Sequence, residues 1–123
     1  MDMDTHWTPL GLSVFADALT KDLKSRFPWL NQPVRKFKIQ PLEVTNYGDI
    51  YDMLDLPKWS GIYQKQTLTI EQVVDEATGN LVEPDPDSPV LLLGDSFTNV
   101  FSVGAMKWGD HAGLAEQLAL RHV

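Results

Sequence analysis

Cysteine is absent from the 123 residues, which removes disulfide staples, thiolate nucleophiles and thiolate-ligated metals together. Positive charge is scarce. Ten Lys and Arg face seventeen Asp and Glu, giving a formal net charge of −7, the wrong sign for a surface that binds nucleic-acid phosphates. No apolar run approaches the roughly 18 residues of a membrane-spanning helix. The first residues carry no basic stretch followed by an apolar core, so no signal peptide is expected in this chain. Glycine-rich phosphate loops, internal repeats and low-complexity tracts are also missing. What remains is the composition of one modest globular domain, 43% hydrophobic.

The stretch that organises the rest is Val90-Leu91-Leu92-Leu93-Gly94-Asp95-Ser96-Phe97. Four consecutive apolar residues predict a short buried strand of the parallel-sheet kind, and Gly94 ends it. Ser96 then sits where the chain leaves the strand for a helix, the edge at which α/β proteins build their sites. The backbone N–H of Ser96 is a candidate oxyanion donor.

Elsewhere the pattern is mixed. Thr8 and Pro9 read as N-cap and first helical residue of a helix over 9–24, with Leu10, Val14, Phe15, Ala18, Leu19 and Leu23 at helical spacing. Residues 35–44 read as a strand that Pro41 confines to an edge, a bulge or a break. Residues 50–56 predict one or two helical turns, closed by Pro57. Residues 67–74 predict a strand, and the turn chemistry of 77–80 makes 67–82 a hairpin. The acidic, proline-rich 83–89 reads as a connector. A short helix or packed loop is expected over 97–103. A last helix should follow, capped by Asp110 or its neighbour, with Leu114, Leu118, Ala115 and Ala119 inward. The fold class expected is α/β: three layers, a mostly parallel sheet, and the hairpin added to it.

A serine needs a base. Of the three histidines, His122 has no local acid and His111 adjoins Asp110 at a spacing that diverges on a helix. His6 lies two residues from Asp4, so in an extended segment both point the same way. The best catalytic constellation is therefore Ser96 as nucleophile, His6 as base and Asp4 orienting it. The bland alternative has Asp4 and His6 merely capping or solvating the helix entrance. Two ligands without further spacing do not make a metal site, and no cofactor is implied. Trp7, Trp29, Trp59 and Trp108 read as core or rim residues rather than sugar platforms, with Trp7 the exception to watch because it adjoins His6. The cluster of Lys21, Lys24, Arg26, Arg35, Lys36 and Lys38 reads either as a solvated helix end and loop or as a patch for an anionic polymer such as a uronate.

Together, Asp4-Thr5-His6-Trp7-Thr8-Pro9 and Leu92-Leu93-Gly94-Asp95-Ser96-Phe97-Thr98-Asn99 resemble the alginate O-acetyltransferase (AlgJ/AlgX-type) branch of the SGNH-hydrolase-like proteins. In that branch the Asp-X-His motif precedes Gly-Asp-Ser, a circular permutation of the usual order. The segments 47–54 and 107–115 are similar to that family too. The resemblance implies an SGNH-hydrolase-like, flavodoxin-like domain. It implies a periplasmic enzyme that moves acetyl groups onto hydroxyls of a secreted polysaccharide through a serine acyl-enzyme. It also implies a membrane O-acyltransferase that hands over the acetyl group. By motif, Ser96 carries the acetyl, His6 acts as base and then acid, and Asp4 orients it. Trp7, Asn99 and Tyr47 are candidates for contact with the polysaccharide, and Asn99, Asn46 and Gly48 for completing the oxyanion hole. Because the family's domains are longer, residues 1–123 are expected to be a single-domain fragment truncated at both ends, prone to homo-oligomerise through exposed sheet edges. Two other readings stay open: an acetylesterase, in which water takes the acetyl group, and a non-catalytic carbohydrate-binding or scaffold domain.

Overall fold

A computed structural model describes residues 1–32, 35–55, 57 and 61–123. Thr8 opens helix α1 (Pro9–Arg26), its hydroxyl accepting from Gly11 N, as the sequence predicts. The strands are β1 (Phe37–Asn46) and β2 (Gln66–Asp75), which pair antiparallel from Phe37↔Asp75 to Asn46↔Gln66. Between them lies the short helix α2 (Asp49–Met53). A four-residue helix α3 (Ser96–Asn99) and a terminal helix α4 (Leu114–Leu120) complete the order. The expectation at Leu56 and the assignment of Trp59 fall outside the described residues.

The class is mixed α/β, but the parallel sheet is not there: the described residues hold one two-stranded antiparallel sheet. The predicted buried strand over 90–93 has no regular secondary structure and no ladder, and Leu91 and Leu93 are 82% and 83% exposed. Only Leu92 turns inward onto the core. A continuous apolar run is buried on both faces only when strands flank it. With β1 and β2 bonded to each other, 90–93 has no described neighbour, so alternate leucines face out. The hairpin of 67–82 does form: Val82 N donates to Val73 O, Asp75 N to Asn80 O, and Leu81 bridges Val74. Pro41 sits inside β1 opposite Glu71 without breaking the strand, which is tolerable where one strand edge needs no donor.

The core gathers Leu12, Ala16, Ile70, Val100, Phe101, Trp108, Ala112, Leu114 and Leu118. The buried residues of α1 are Leu12, Ala16 and Thr20, and of the predicted positions Leu19 packs against the core they join. Leu10 is 74% exposed and Val14 also faces out, because the apolar positions of α1 outnumber those the sheet and α4 can cover. Helix α4 starts at Gly113 with no side-chain cap. Asp110 instead accepts from Gln72 Nε2 at 2.8 Å, and Ala115 faces solvent while Glu116 and Gln117 are buried. Arg121 ties α4 to α1, donating to Asp17, Ser13 and Gln117. Of the basic cluster, Lys24 donates to Arg121 O, Arg26 pairs with Asp22, and Arg35 pairs with Asp75. Half of its charge is thus spoken for by neighbours.

Candidate active site

The residues before α1 form a turn rather than an extended strand. Asp4 and His6 nevertheless meet, by a different local route. Asp4 Oδ1 accepts from the backbone N of His6 at 3.0 Å, an Asx-turn, which swings the imidazole back so that Nδ1 lies 2.7 Å from the same oxygen. Both side chains are buried, Asp4 to 8% and His6 to 7% exposure. The cap of α1 begins two residues later, so a rigid helix carries the pair.

The second oxygen of Asp4 is occupied as well. Oδ2 accepts from the backbone N of Asp49 at 3.0 Å and from the indole Nε1 of Trp108 at 2.7 Å. Burial alone would raise the Asp4 pKa. The N–H donors from Trp108, from the backbone and ring of His6 and from the backbone of Asp49 outweigh it and hold the carboxyl below the ordinary carboxylate value. An ionised acid accepts, so Nδ1 donates. A neutral imidazole then carries its lone pair on Nε2. Nε2 is buried and has no hydrogen-bond partner among the described residues.

Loop 47–49 clamps this arrangement. Gly48 holds φ +105°, and a Cβ there would lie 2.6 Å from the Met3 carbonyl carbon and 3.0 Å from Asp4 Cβ. The close approach lets Ile50 N reach Met3 O at 3.1 Å. The Asp49 carboxylate answers in the other direction, accepting from Thr5 N at 2.8 Å and from the Thr5 hydroxyl, with Oδ2 3.7 Å from His6 Nδ1. Asp4, His6 and Asp49 bring a ligand atom each within 4.8 Å of one another, the geometry a small cation needs. The donor set argues otherwise: N–H and O–H groups already point at both carboxylates, and a cation would have to displace them.

Ser96 opens α3, with the Asp95 carboxylate capping the helix through Phe97 N at 3.0 Å. Its hydroxyl is exposed and not hydrogen-bonded to His6. The next residue bridges the gap: the Phe97 ring centroid lies 5.0 Å from that of the imidazole, and it packs edge-to-face with Trp7 at 5.6 Å between centroids. Gly94 is packed so closely on Thr98 that a Cβ would overlap that side chain, which fixes the turn into Ser96.

The other predicted contacts scatter. Trp7 is half-buried between Phe97 and Phe15, its indole N–H buried without a partner among the described residues. Tyr47 stacks on Tyr51 at 4.1 Å with Lys65 over its ring, so it is packed into a tyrosine cluster. Asn99 is exposed, and Asn46 Oδ1 is taken by Tyr47 N. The divergence expected for Asp110 and His111 does not hold: His111 takes φ +53° in a turn, not a helix, and Nδ1 lies 3.1 Å from Asp110 Oδ1. Sequence reasoning missed Thr5, Asp49, Phe97 and Trp108. Thr5 and Phe97 lie inside the two motifs, and Asp49 and Trp108 inside the family-like segments 47–54 and 107–115, but nothing local assigned any of them a role.

These features define a domain whose acid–imidazole pair stands beside a serine-led helix start. The family described as "SGNH hydrolase-like domain, acetyltransferase AlgX" matches residues 1–119, and the chain belongs to it. It is 34% identical over 114 residues to the "Probable alginate O-acetylase AlgJ" of Pseudomonas syringae pv. tomato, a match covering 85% of this chain and 29% of that protein. The chain thus spans under a third of the curated relative. No solved structure matches it.

Proposed function

We propose that the domain transfers acetyl groups through Ser96, with His6 as base and Asp4 orienting the ring. The observation that carries this reading is His6 itself: Nδ1 committed to an ionised acid, Nε2 buried and bare, and the residue after Ser96 packed on its ring. His6 Nε2 takes the Ser96 proton as Oγ attacks the acetyl carbonyl of the donor. The tetrahedral intermediate collapses, and the donor leaves with the proton from His6. A sugar hydroxyl then gives its proton to Nε2 and attacks the acetyl-serine, and the proton returns to Ser96 Oγ. Catalytic hydrogen bonds of this kind are often long before substrate arrives, so the open Ser96–His6 geometry fits a waiting site.

The acceptor on this reading is an alginate-like uronate polymer in the periplasm, and the acetyl donor is a membrane O-acyltransferase, in keeping with the family. Hydrolysis of a chromogenic acetyl ester tests the machinery. Ser96→Ala and His6→Ala should each lose at least about 100-fold in rate; unchanged rates in both variants refute the triad. Adding an oligouronate and weighing the product by mass spectrometry separates transfer from hydrolysis. The missing Ser96–His6 bond favours a second reading, a carbohydrate-binding module without acyl chemistry. That reading predicts oligouronate binding with no adduct on Ser96 after a sulfonyl fluoride.

A further inference from the structure

Trp108 is the largest of the fully buried side chains among the described residues, at 1% exposure, and its one polar atom is spent on Asp4. The chain takes unusual backbone to bring it there. Lys107 adopts φ +63° and Gly109 φ +84°, flanking the tryptophan on both sides. A Cβ at Gly109 would run into the Ile70 and Val44 side chains of the sheet, so the turn is pressed directly onto the core. Lys107 is tethered to α2 by its ammonium, 2.6 Å from Asp52 Oδ2. Left-handed backbone at a lysine is disfavoured and persists where surrounding contacts impose it. A tryptophan needed only for volume would not have to deliver its N–H to a buried carboxylate 104 positions away.

We propose that Trp108 is a positioning residue for the acid–imidazole pair: its indole N–H pins Asp4 Oδ2, leaving Oδ1 to hold His6 Nδ1. This deepens the acyl-transfer reading and rests on it for its catalytic consequence. The structural part stands on the hydrogen bonds alone. The division of labour is visible in the atoms. The ring and backbone N–H of His6 both go to Oδ1, and the donors from Trp108 and Asp49 both go to Oδ2. Without the indole, the carboxylate keeps one donor on Oδ2 and gains freedom to rotate, and its charge concentrates. A more basic Asp4 raises the proton affinity of His6. The other charged group facing the ring is Asp49 from α2, itself occupied by Thr5. The Lys107–Asp52 pair joins the residue before Trp108 to a residue three positions after Asp49 on α2.

The test compares Trp108→Phe with Phe101→Leu, which also opens the core but has no hydrogen bond to Asp4. His6 is titrated by NMR through its ring Hε1 signal, and the pH profile of kcat/KM is recorded on a chromogenic acetyl ester. In Trp108→Phe the His6 midpoint and the acidic limb should move up together by about half a pH unit or more, with kcat/KM at neutral pH down about tenfold. Phe101→Leu should leave both midpoints in place. Equal, unshifted midpoints in the two variants overturn the proposal. In the wild-type chain, the Trp108 indole N–H should shift as pH falls through the Asp4 titration, a reading that needs neither variant to fold; an indole signal indifferent to that titration also overturns it. Coupled indole and His6 titrations in a chain with no ester turnover would retain the positioning role and reject the serine chemistry instead.

Discussion

Gly48→Ala probes the clamp from the side of the backbone. At φ +105° and ψ 167°, Gly48 occupies a region open essentially to glycine alone, and forcing a side chain into it costs on the order of 1–3 kcal/mol. The new Cβ also meets backbone rather than a flexible side chain: the Met3 carbonyl carbon at 2.6 Å, with Asp4 Cβ at 3.0 Å. Relief requires moving loop 47–49 away from the turn before α1. That breaks the hydrogen bond from Asp49 N to the ionised Asp4, worth about 1.5–3 kcal/mol for a charged acceptor. The sum is about 2.5–6 kcal/mol, a large part of the roughly 5–15 kcal/mol that separates a small domain from unfolding. Gly79→Ala is the control. Its φ of +73° is also left-handed, but no atom lies within 4 Å of the added Cβ, so only the conformational cost of about 1–2 kcal/mol remains. Urea denaturation followed by tryptophan fluorescence measures both, and ester turnover should fall far more in Gly48→Ala than its loss of folded protein accounts for. A Gly48→Ala variant no more destabilised than Gly79→Ala would refute the steric argument, since only Gly48 has the contact.

Two more outcomes follow from the geometry. His111 has its pKa raised above 6.5 by contact with Asp110 and, against some burial, by Glu83. A raised folded value means its stabilisation is fully present below about pH 6.5 and is lost as pH rises through the folded pKa. Thermal midpoints should therefore decline between pH 6 and 8.5 relative to His111→Asn, which keeps a residue tolerant of φ +53°; a constant difference refutes it. Leu91→Ser and Leu93→Ser should each change stability by less than about 0.5 kcal/mol, as for surface positions. A loss of 2 kcal/mol or more in denaturant titrations would mean the segment is buried after all.

Much of this was readable along the chain. Thr8-Pro9 announced α1 because capping is a matter of adjacent residues. The hairpin of 67–82 was legible from alternation and turn chemistry, and Asp4 with His6 from a spacing of two. Local rules misled where burial had to be guessed. Residues 90–93 are apolar enough for a buried strand, but hydrophobicity cannot say whether neighbouring strands are present to cover it. The apolar positions of α1 fit more than one face, and packing chose Leu12, Ala16 and Thr20.

The sequence by itself determined the mixed class, the start of α1, the motif pair and the family they belong to, since each rests on residues close together in the chain. Tertiary structure alone decided what completes the site. Asp49 reaches Thr5 across 44 positions and Trp108 reaches Asp4 across 104, and no local pattern encodes a hydrogen bond between residues that only folding makes neighbours.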